Sequence, residues 1–149
     1  MTENTDHGGG EFRTLNGYRE REKKRITFAM EDYLEMVYRL AGDGAPVRVG
    51  ELARMLHVAP SSATKMISNL QENGCVDAHP YGYIAMTEYG RTLGAYLARR
   101  HDTVERFLRF LNGTDCELEQ AEKIEHFIGD RTLASMERVL REGKMEGEA

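Results

Sequence analysis

Glu122, Glu125 and His126 stand three and four apart in an apolar-periodic run from about Leu118 to Ile128. That periodicity predicts a helix. On a helix, these spacings place two carboxylates and one imidazole on a single face. Carboxylate oxygens suit hard divalent ions, and imidazole tilts the choice toward a transition metal over calcium or magnesium. The same stretch also reads as a solvated acidic face carrying a stray histidine, and by itself it does not separate the two. Asp32 and Glu35 form a second acidic pair, three apart on a predicted helix from Thr27 to Ala41. Thr27 is placed as its N-cap, with Glu31 and Asp32 in the early turns where the helix dipole favours acids. Dipole complementation and one solvated carboxylate would account for that pair equally well.

The elements that carry these residues belong to a chain of 149 residues, enough for one domain or two small ones. No apolar run approaches the roughly 18 residues that would span a bilayer. The N-terminus lacks a signal-type apolar core, so the expected location is the cytoplasm, away from membranes. Cys75 and Cys116 have no metal-type spacing and are read as small apolar fillers. The net charge of −5 argues against a generic nucleic-acid binder, but it conceals an uneven distribution. Arg13 to Arg25 holds six basic and two acidic residues, whereas Thr114 to Ala149 holds ten acidic and five basic. A basic front and an acidic back fit a DNA-binding end joined to a metal-binding or regulatory end. Residues 1–25, polar and including Gly8-Gly9-Gly10, read as a flexible basic arm.

Beyond the first helix, Gly42-Asp43-Gly44 and Pro46 break the pattern, and Val47 to Val49 could start a short strand. A short helix from Gly50 to Leu56, a turn at His57-Val58-Ala59 and a helix from Pro60 to about Glu72 make a helix-turn-helix. Pro60 suits a first helical position, and Asn73-Gly74 a stop. The second helix buries Ala63, Met66, Ile67 and Leu70. It exposes Ser61, Ser62, Thr64, Lys65, Ser68 and Asn69. Small hydroxyl residues let a backbone approach a groove, and Lys65 can reach phosphates or base edges. Two strand patterns follow, at Val76 to Ala78 and Tyr83 to Met86, separated by His79-Pro80-Tyr81-Gly82. A hairpin directly after a helix-turn-helix is a wing. Tyr81, Tyr83 and His79 are placed at its tip, where they could meet a DNA backbone; His79 reads equally as a surface histidine.

Thr87 caps a long predicted helix, about 88–111, whose stripe of Leu93, Tyr96, Leu97, Val104, Phe107, Leu108 and Leu111 suits a connector between two modules. His101 lies near its middle, where a histidine is usually packed or at the surface. A last helix carries Leu133, Met136, Val139 and Leu140. Two or three short helices bury little on their own, so this end is expected to form a homodimer with two-fold symmetry.

Four segments in order resemble one family. They are Ala29-Met30-Glu31-Asp32-Tyr33-Leu34-Glu35, Ala59-Pro60-Ser61-Ser62-Ala63-Thr64-Lys65-Met66, Arg100-His101, and Glu122-Lys123-Ile124-Glu125-His126. Together they are similar to the metal-dependent repressors of the diphtheria toxin repressor family, in the manganese transport regulator branch, over about residues 27–141. The resemblance implies a mainly α fold with a small β wing. Residues 26–90 would form a winged helix-turn-helix DNA-binding domain, and residues 91–149 a helical metal-binding and dimerisation domain. It implies that Asp32, Glu35, His101, Glu122, Glu125 and His126 are metal ligands, holding two Mn(II) per subunit. Fe(II), Co(II) or Zn(II) would be substitutes. The iron-responsive branch has Met where this chain has Asp32 and Cys where it has Glu122, and carboxylates suit manganese better than sulfur does. The implied function is a manganese-responsive repressor of metal uptake genes. Metal bound between the domains would promote binding of the dimer to a palindromic operator in double-stranded DNA, through Pro60, Ser61, Ser62, Thr64, Lys65, Tyr81 and Tyr83. The competing readings are an iron-responsive or non-metal winged-helix regulator and, with less support, a di-metal hydrolase. The favoured reading is not an enzyme.

Overall fold

The computed structural model describes residues 26–146. The expected N-terminal arm lies outside the described residues. Helix α1 (Phe28–Ala41) starts where Thr27 accepts a hydrogen bond from the Met30 amide, as its N-cap position predicts. It buries Met30, Tyr33, Leu34, Val37 and Ala41 along one stripe and stops at Gly42. Strand β1 (Val47–Arg48) leads directly into α2 (Val49–Met55). His57 turns the chain with a positive φ of 55°, and α3 (Pro60–Glu72) begins at its proline. Strands β2 (Val76–His79) and β3 (Tyr83–Met86) form the hairpin, joined by a 3₁₀ turn at Pro80–Gly82. The sheet order is β1-β3-β2, antiparallel throughout, with Val47 opposite Ile84 and Arg48 opposite Tyr83.

The core of this first half joins Leu34, Val37, Leu52, Leu70, Val76 and Ile84. Leu34, Val37, Leu52, Leu70 and Ile84 are wholly shielded from solvent, and burying each is worth about 1.5–3 kcal/mol. This first core also takes in Leu93, Tyr96 and Leu97 of the long helix α4 (Glu88–Asn112). Two glycines let α4 lie this close. A β-carbon on Gly90 would stand 1.8 Å from the Cys75 carbonyl oxygen, and one on Gly94 would stand 2.8 Å from the Cβ of Tyr38. The approach to the backbone leaves no side chain able to yield.

Farther along, α4 helps form a second core, with Val104 and Leu108 packed against Ala121 and flanked by Ile124, Ile128 and Met136. The partners come from α5 (Leu118–Ile124), the segment after it, and α6 (Asp130–Glu146). Arg99 on α4 pairs with Glu137 on α6 at 2.7 Å, and the Tyr96 hydroxyl hydrogen-bonds Asp130. One helix therefore runs through both cores. Its middle turn, at Arg100 and His101, is held where the two halves meet. No helix among the described residues is long and apolar enough to cross a membrane.

Candidate metal centre and nucleic-acid surface

Three elements converge on this joint. Helix α1 brings Glu31, Asp32 and Glu35, α4 brings Arg100 and His101, and the end of α5 brings Glu122. The fourth contribution departs from a plain helix. After Ile124 the winding tightens to a 3₁₀ turn at Glu125–Phe127. Glu125 and His126 still converge with Glu122, but Glu125 is driven inward to 2% exposure. The His126 ring stacks on Phe28 with centroids 4.8 Å apart, which fixes its plane.

The six expected ligands come together unequally. Asp32, Glu125 and His126 offer ligand atoms that all lie within 4.8 Å of one another, and so do Glu35, His101 and Glu125. Glu125 belongs to both triads. Its Oε2 is 2.5 Å from His101 Nδ1, and its Oε1 is 3.8 Å from His126 Nε2. His126 Nε2 is 3.0 Å from Asp32 Oδ1. Glu122 belongs to neither triad; its Oε1 stands 3.5 Å from His101 Nδ1, and half of its side chain is exposed. Glu35 also accepts from Arg39 Nε at 3.1 Å, and Arg39 reaches Asp102 at 3.0 Å, which ties α1 to α4 beside the site.

The electrostatics fit a cation. Burial, reinforced by the charge of Glu125, pushes the carboxyls of Glu35 and Glu122 above their ordinary range. The hydrogen bond to Glu125 raises His101 against the opposing effect of burial. Burial would lower His126, but hydrogen bonds to Asp32 and Glu31 prevail and push it up to about 9. Imidazolium protons thus compensate carboxylates that repel one another. A divalent ion accepting the same oxygens would do so with more charge. Four carboxylates and two imidazoles, with no thiolate among them, match a hard-to-borderline divalent metal.

Behind the site, Glu31 is 7% and Arg100 4% exposed. The Glu31 carboxylate pairs with the Arg100 guanidinium, and its Oε2 also lies 2.9 Å from His126 Nδ1. Burial alone would raise Glu31, but bonds from His126 and Arg100 hold its carboxyl below the usual range. Sequence patterns give Glu31 and Arg100 no part in the site, although both lie in segments that carry the resemblance. One signal exists, however. Arg100 continues the spacing of Leu93, Leu97 and Val104, so it occupies a core-facing slot, and a buried guanidinium requires a carboxylate.

The expected DNA surface is built differently. Ser61, Ser62, Thr64 and Lys65 are all exposed near the start of α3, behind Pro60 at its first turn. The Thr64 hydroxyl donates to the Pro60 carbonyl at 3.0 Å and that of Ser68 to the Thr64 carbonyl at 3.2 Å, so both keep only acceptor capacity outward. Tyr81 sits at the wing tip with φ 67° and 96% exposure. Tyr83 is half-buried. Arg48, its partner across the sheet, hydrogen-bonds the hydroxyl and holds its guanidinium 4.7 Å from the ring centroid. Arg48 also escapes the sequence patterns, because a cation in a two-residue strand has no periodicity to betray it.

Comparison with known proteins agrees with this geometry. Residues 25–84 match the iron dependent repressor N-terminal DNA binding domain, and residues 87–146 match the iron dependent repressor metal binding and dimerisation domain. The HTH-type transcriptional regulator MntR of Lysinibacillus sphaericus (strain C3-41) is 36% identical over 122 residues, covering 78% of this chain and 86% of that protein. MntR of Geobacillus kaustophilus (strain HTA426) is 35% identical over 103 residues, covering 68% and 73%. Among solved structures, a manganese-dependent transcriptional repressor in complex with manganese matches with a TM-score of 0.66 and 30% identity, covering 74% of this chain and 52% of that one. The manganese regulator SloR matches with 0.65 and 27%, covering 75% and 53%. This chain spans about half the length of those two solved proteins.

Proposed function

The chain belongs to the iron-dependent repressor family, and from that premise we propose that it is a manganese-responsive DNA-binding transcriptional regulator that represses metal uptake genes. The observation that carries this reading is the pair of ligand triads sharing Glu125. They draw on α1 from the DNA-binding half and on α4 and the Glu125–Phe127 turn from the dimerisation half. We assign Asp32, Glu35, His101, Glu122, Glu125 and His126 as ligands of two Mn(II) per subunit. Four carboxylates balance the charge of two divalent ions, while Glu31 is already balanced by Arg100. Bound metal would supply the positive charge that lets these carboxylates stay ionised side by side. The chain's own part is to carry that constraint to DNA. Glu125 holds to both imidazoles, His126 to Asp32 and Glu31 on α1, and Arg39 joins α1 to α4. Closing the joint fixes the angle between α3 and the dimerisation half. Metal and operator then favour the same state, and each tightens the other.

In this reading residues 26–90 form the DNA-binding unit and residues 91–149 the metal-binding and dimerisation unit, working as a cytoplasmic homodimer on a palindromic operator. Pro60, Ser61, Ser62, Thr64 and Lys65 enter the major groove, and Tyr81 and Tyr83 belong to the wing surface. The role is regulatory rather than enzymatic.

The test is binding to the chain's own upstream DNA at fixed salt, with chelator, Mn(II), anaerobic Fe(II), Co(II), Zn(II) or Mg(II), beside an Asp32→Met/Glu122→Cys variant. Mn(II) should restore tight binding to the wild type, and the variant should shift toward Fe(II), Co(II) or Zn(II). Equal affinity with chelator and with every metal would overturn the sensor and leave only the winged helix.

A further inference from the structure

His126 faces two carboxylates with its two nitrogens. Nε2 is 3.0 Å from Asp32 Oδ1, on the side of the ligand triad. Nδ1 is 2.9 Å from Glu31 Oε2, on the side away from it. Only one neutral tautomer leaves a lone pair toward Asp32 and the cation: the one with its proton on Nδ1. That proton needs an acceptor, and Glu31 Oε2 is one. The rival tautomer is available as well. Arg100 Nη2 stands 3.2 Å from Nδ1 and could donate to a bare nitrogen, leaving the proton on Nε2 where a metal must bind. The two arrangements differ in whether Glu31 or Arg100 addresses Nδ1. Arg100 is itself drawn to Glu31, so its Nη2 and the imidazole converge on the same oxygen. The Arg100 Nε, in contrast, has no hydrogen-bond partner among the described residues, although it is buried. A buried guanidinium left partly unsatisfied has one principal anchor, and that anchor is Glu31.

We propose that Glu31 is a positioning residue for the metal site, that it fixes His126 in the tautomer whose Nε2 is free to bind, and that Arg100 holds Glu31 in place for that task. This rests on the reading of His126 as a ligand. Glu31 lies on α1 and His126 beyond α5, so the same bond joins the two halves of the molecule before any cation arrives. The stacked Phe28 ring limits the imidazole to motion in its own plane. Within that plane the acceptor at Nδ1 sets where Nε2 points. Outer partners of this kind affect metal affinity by about 10- to 100-fold.

The experiment measures Mn(II) affinity directly, from the free Mn(II) signal in electron paramagnetic resonance, with thermal unfolding of the chelated protein as the control. The variants are Glu31→Ala, Glu31→Gln and Glu31→Ala/Arg100→Met. Glu31→Ala should lose about 10- to 100-fold in affinity. Glu31→Gln keeps an oxygen that can accept from Nδ1 and should recover most of that loss. The double variant removes the stranded guanidinium and should unfold at a higher temperature than Glu31→Ala, yet bind Mn(II) as weakly. If it instead regains wild-type affinity, Glu31 serves only the ion pair and the proposal fails. It fails equally if Gln binds as poorly as Ala, or if Ala binds as well as the wild type. A wild type that takes up no Mn(II) would overturn the sensor reading itself, a result distinct from any of these.

Discussion

The joint between the two halves and the surface of α3 and the wing are both polar, but they are satisfied in opposite ways. At the joint, Glu31, Arg100, His101 and Glu125 are all under 9% exposed, and each is bound to another member of the group. Buried charge is tolerated only when paired, so these residues specify one another. On α3, Ser61, Ser62 and Lys65 are open to solvent, and the hydroxyls that do bond, Thr64 and Ser68, bond to their own helix. In the proposed function, this contrast separates a switch from a reader. A switch must hold two arrangements of internal partners, with and without cation. A reader keeps its partners outside the molecule, so it has little internal order to give up when it meets DNA.

The largest expected effect comes from the one residue common to both triads. Glu125→Gln keeps the shape of the side chain and removes its charge. If Glu125 is shared by two ions, as proposed, its loss should cost more than the roughly 10- to 100-fold of an outer partner, and Mn(II) should no longer stimulate DNA binding. DNA binding by the chelated variant should equal that of the chelated wild type, because α3 is untouched. Mobility shifts with and without Mn(II) provide the check. If the variant is still stimulated by Mn(II), the site does not depend on a shared ligand.

Protons sharpen the same contrast. His126 has its folded pKa raised to about 9, and His101 is also raised. A group raised in the fold stabilises it fully below its unfolded pKa, about 6.5 for histidine. That contribution is lost as pH rises through the folded value, about 9 for His126. Chelated protein should accordingly lose this part of its stability between about 6.5 and 9. Mn(II) affinity should run the other way, rising with pH by about tenfold per unit for each proton displaced. Titration in weak buffer should register proton release on Mn(II) addition. The proposed DNA contacts of α3 include no histidine, so in a His79→Gln background, which removes the wing-tip imidazole, chelated protein should bind DNA with little pH dependence across the same range. Metal affinity that stays flat with pH would show that the imidazoles bind no cation.

Much of the joint is legible in the sequence as two helix faces of acids and an imidazole, although only the family resemblance, not the spacing, makes a metal site of them. Asp32 and Glu35 sit three apart, Glu122, Glu125 and His126 three and four apart, and these spacings survive even where α5 tightens into a 3₁₀ turn at Glu125. The helix-turn-helix is legible for a related reason: Pro60 and Asn73-Gly74 mark both ends of α3 in local chemistry. Glu31 and Arg100 are harder. Their meaning depends on a contact between residues 69 apart, and an acid in a first helical turn already has a local explanation. Arg48 is harder still, since its role arises only when β1 pairs with β3 and puts Tyr83 beside it. Long-range pairing of single residues leaves no periodic trace, whereas a helix face does.

The smallest expected effects lie on the wing, and they test whether the reader is wholly free of internal order. Arg48 is exposed, has no carboxylate partner among the described residues, and is held by both the hydroxyl and the ring of Tyr83. A guanidinium kept in place by an aromatic loses less side-chain freedom on reaching a phosphate than one waving in solvent. If both Lys65 and Arg48 contact phosphates, Lys65→Ala and Arg48→Ala should each reduce the slope of log affinity against log salt by about 0.9 per subunit, or about 1.8 for the dimer. Tyr83→Phe should leave that slope intact, because the cation is still present, and weaken binding by a few-fold through the lost hydroxyl anchor, worth about 0.5–1.5 kcal/mol. Mn(II) affinity without DNA should be unchanged in all three. An Arg48→Ala slope equal to the wild type would remove Arg48 from the phosphates, and a loss in Tyr83→Phe would then mean that the tyrosine meets DNA itself. Should Tyr83→Phe bind like wild type while Arg48→Ala does not, the cation finds its phosphate unaided, and the wing joins α3 as a surface without internal order.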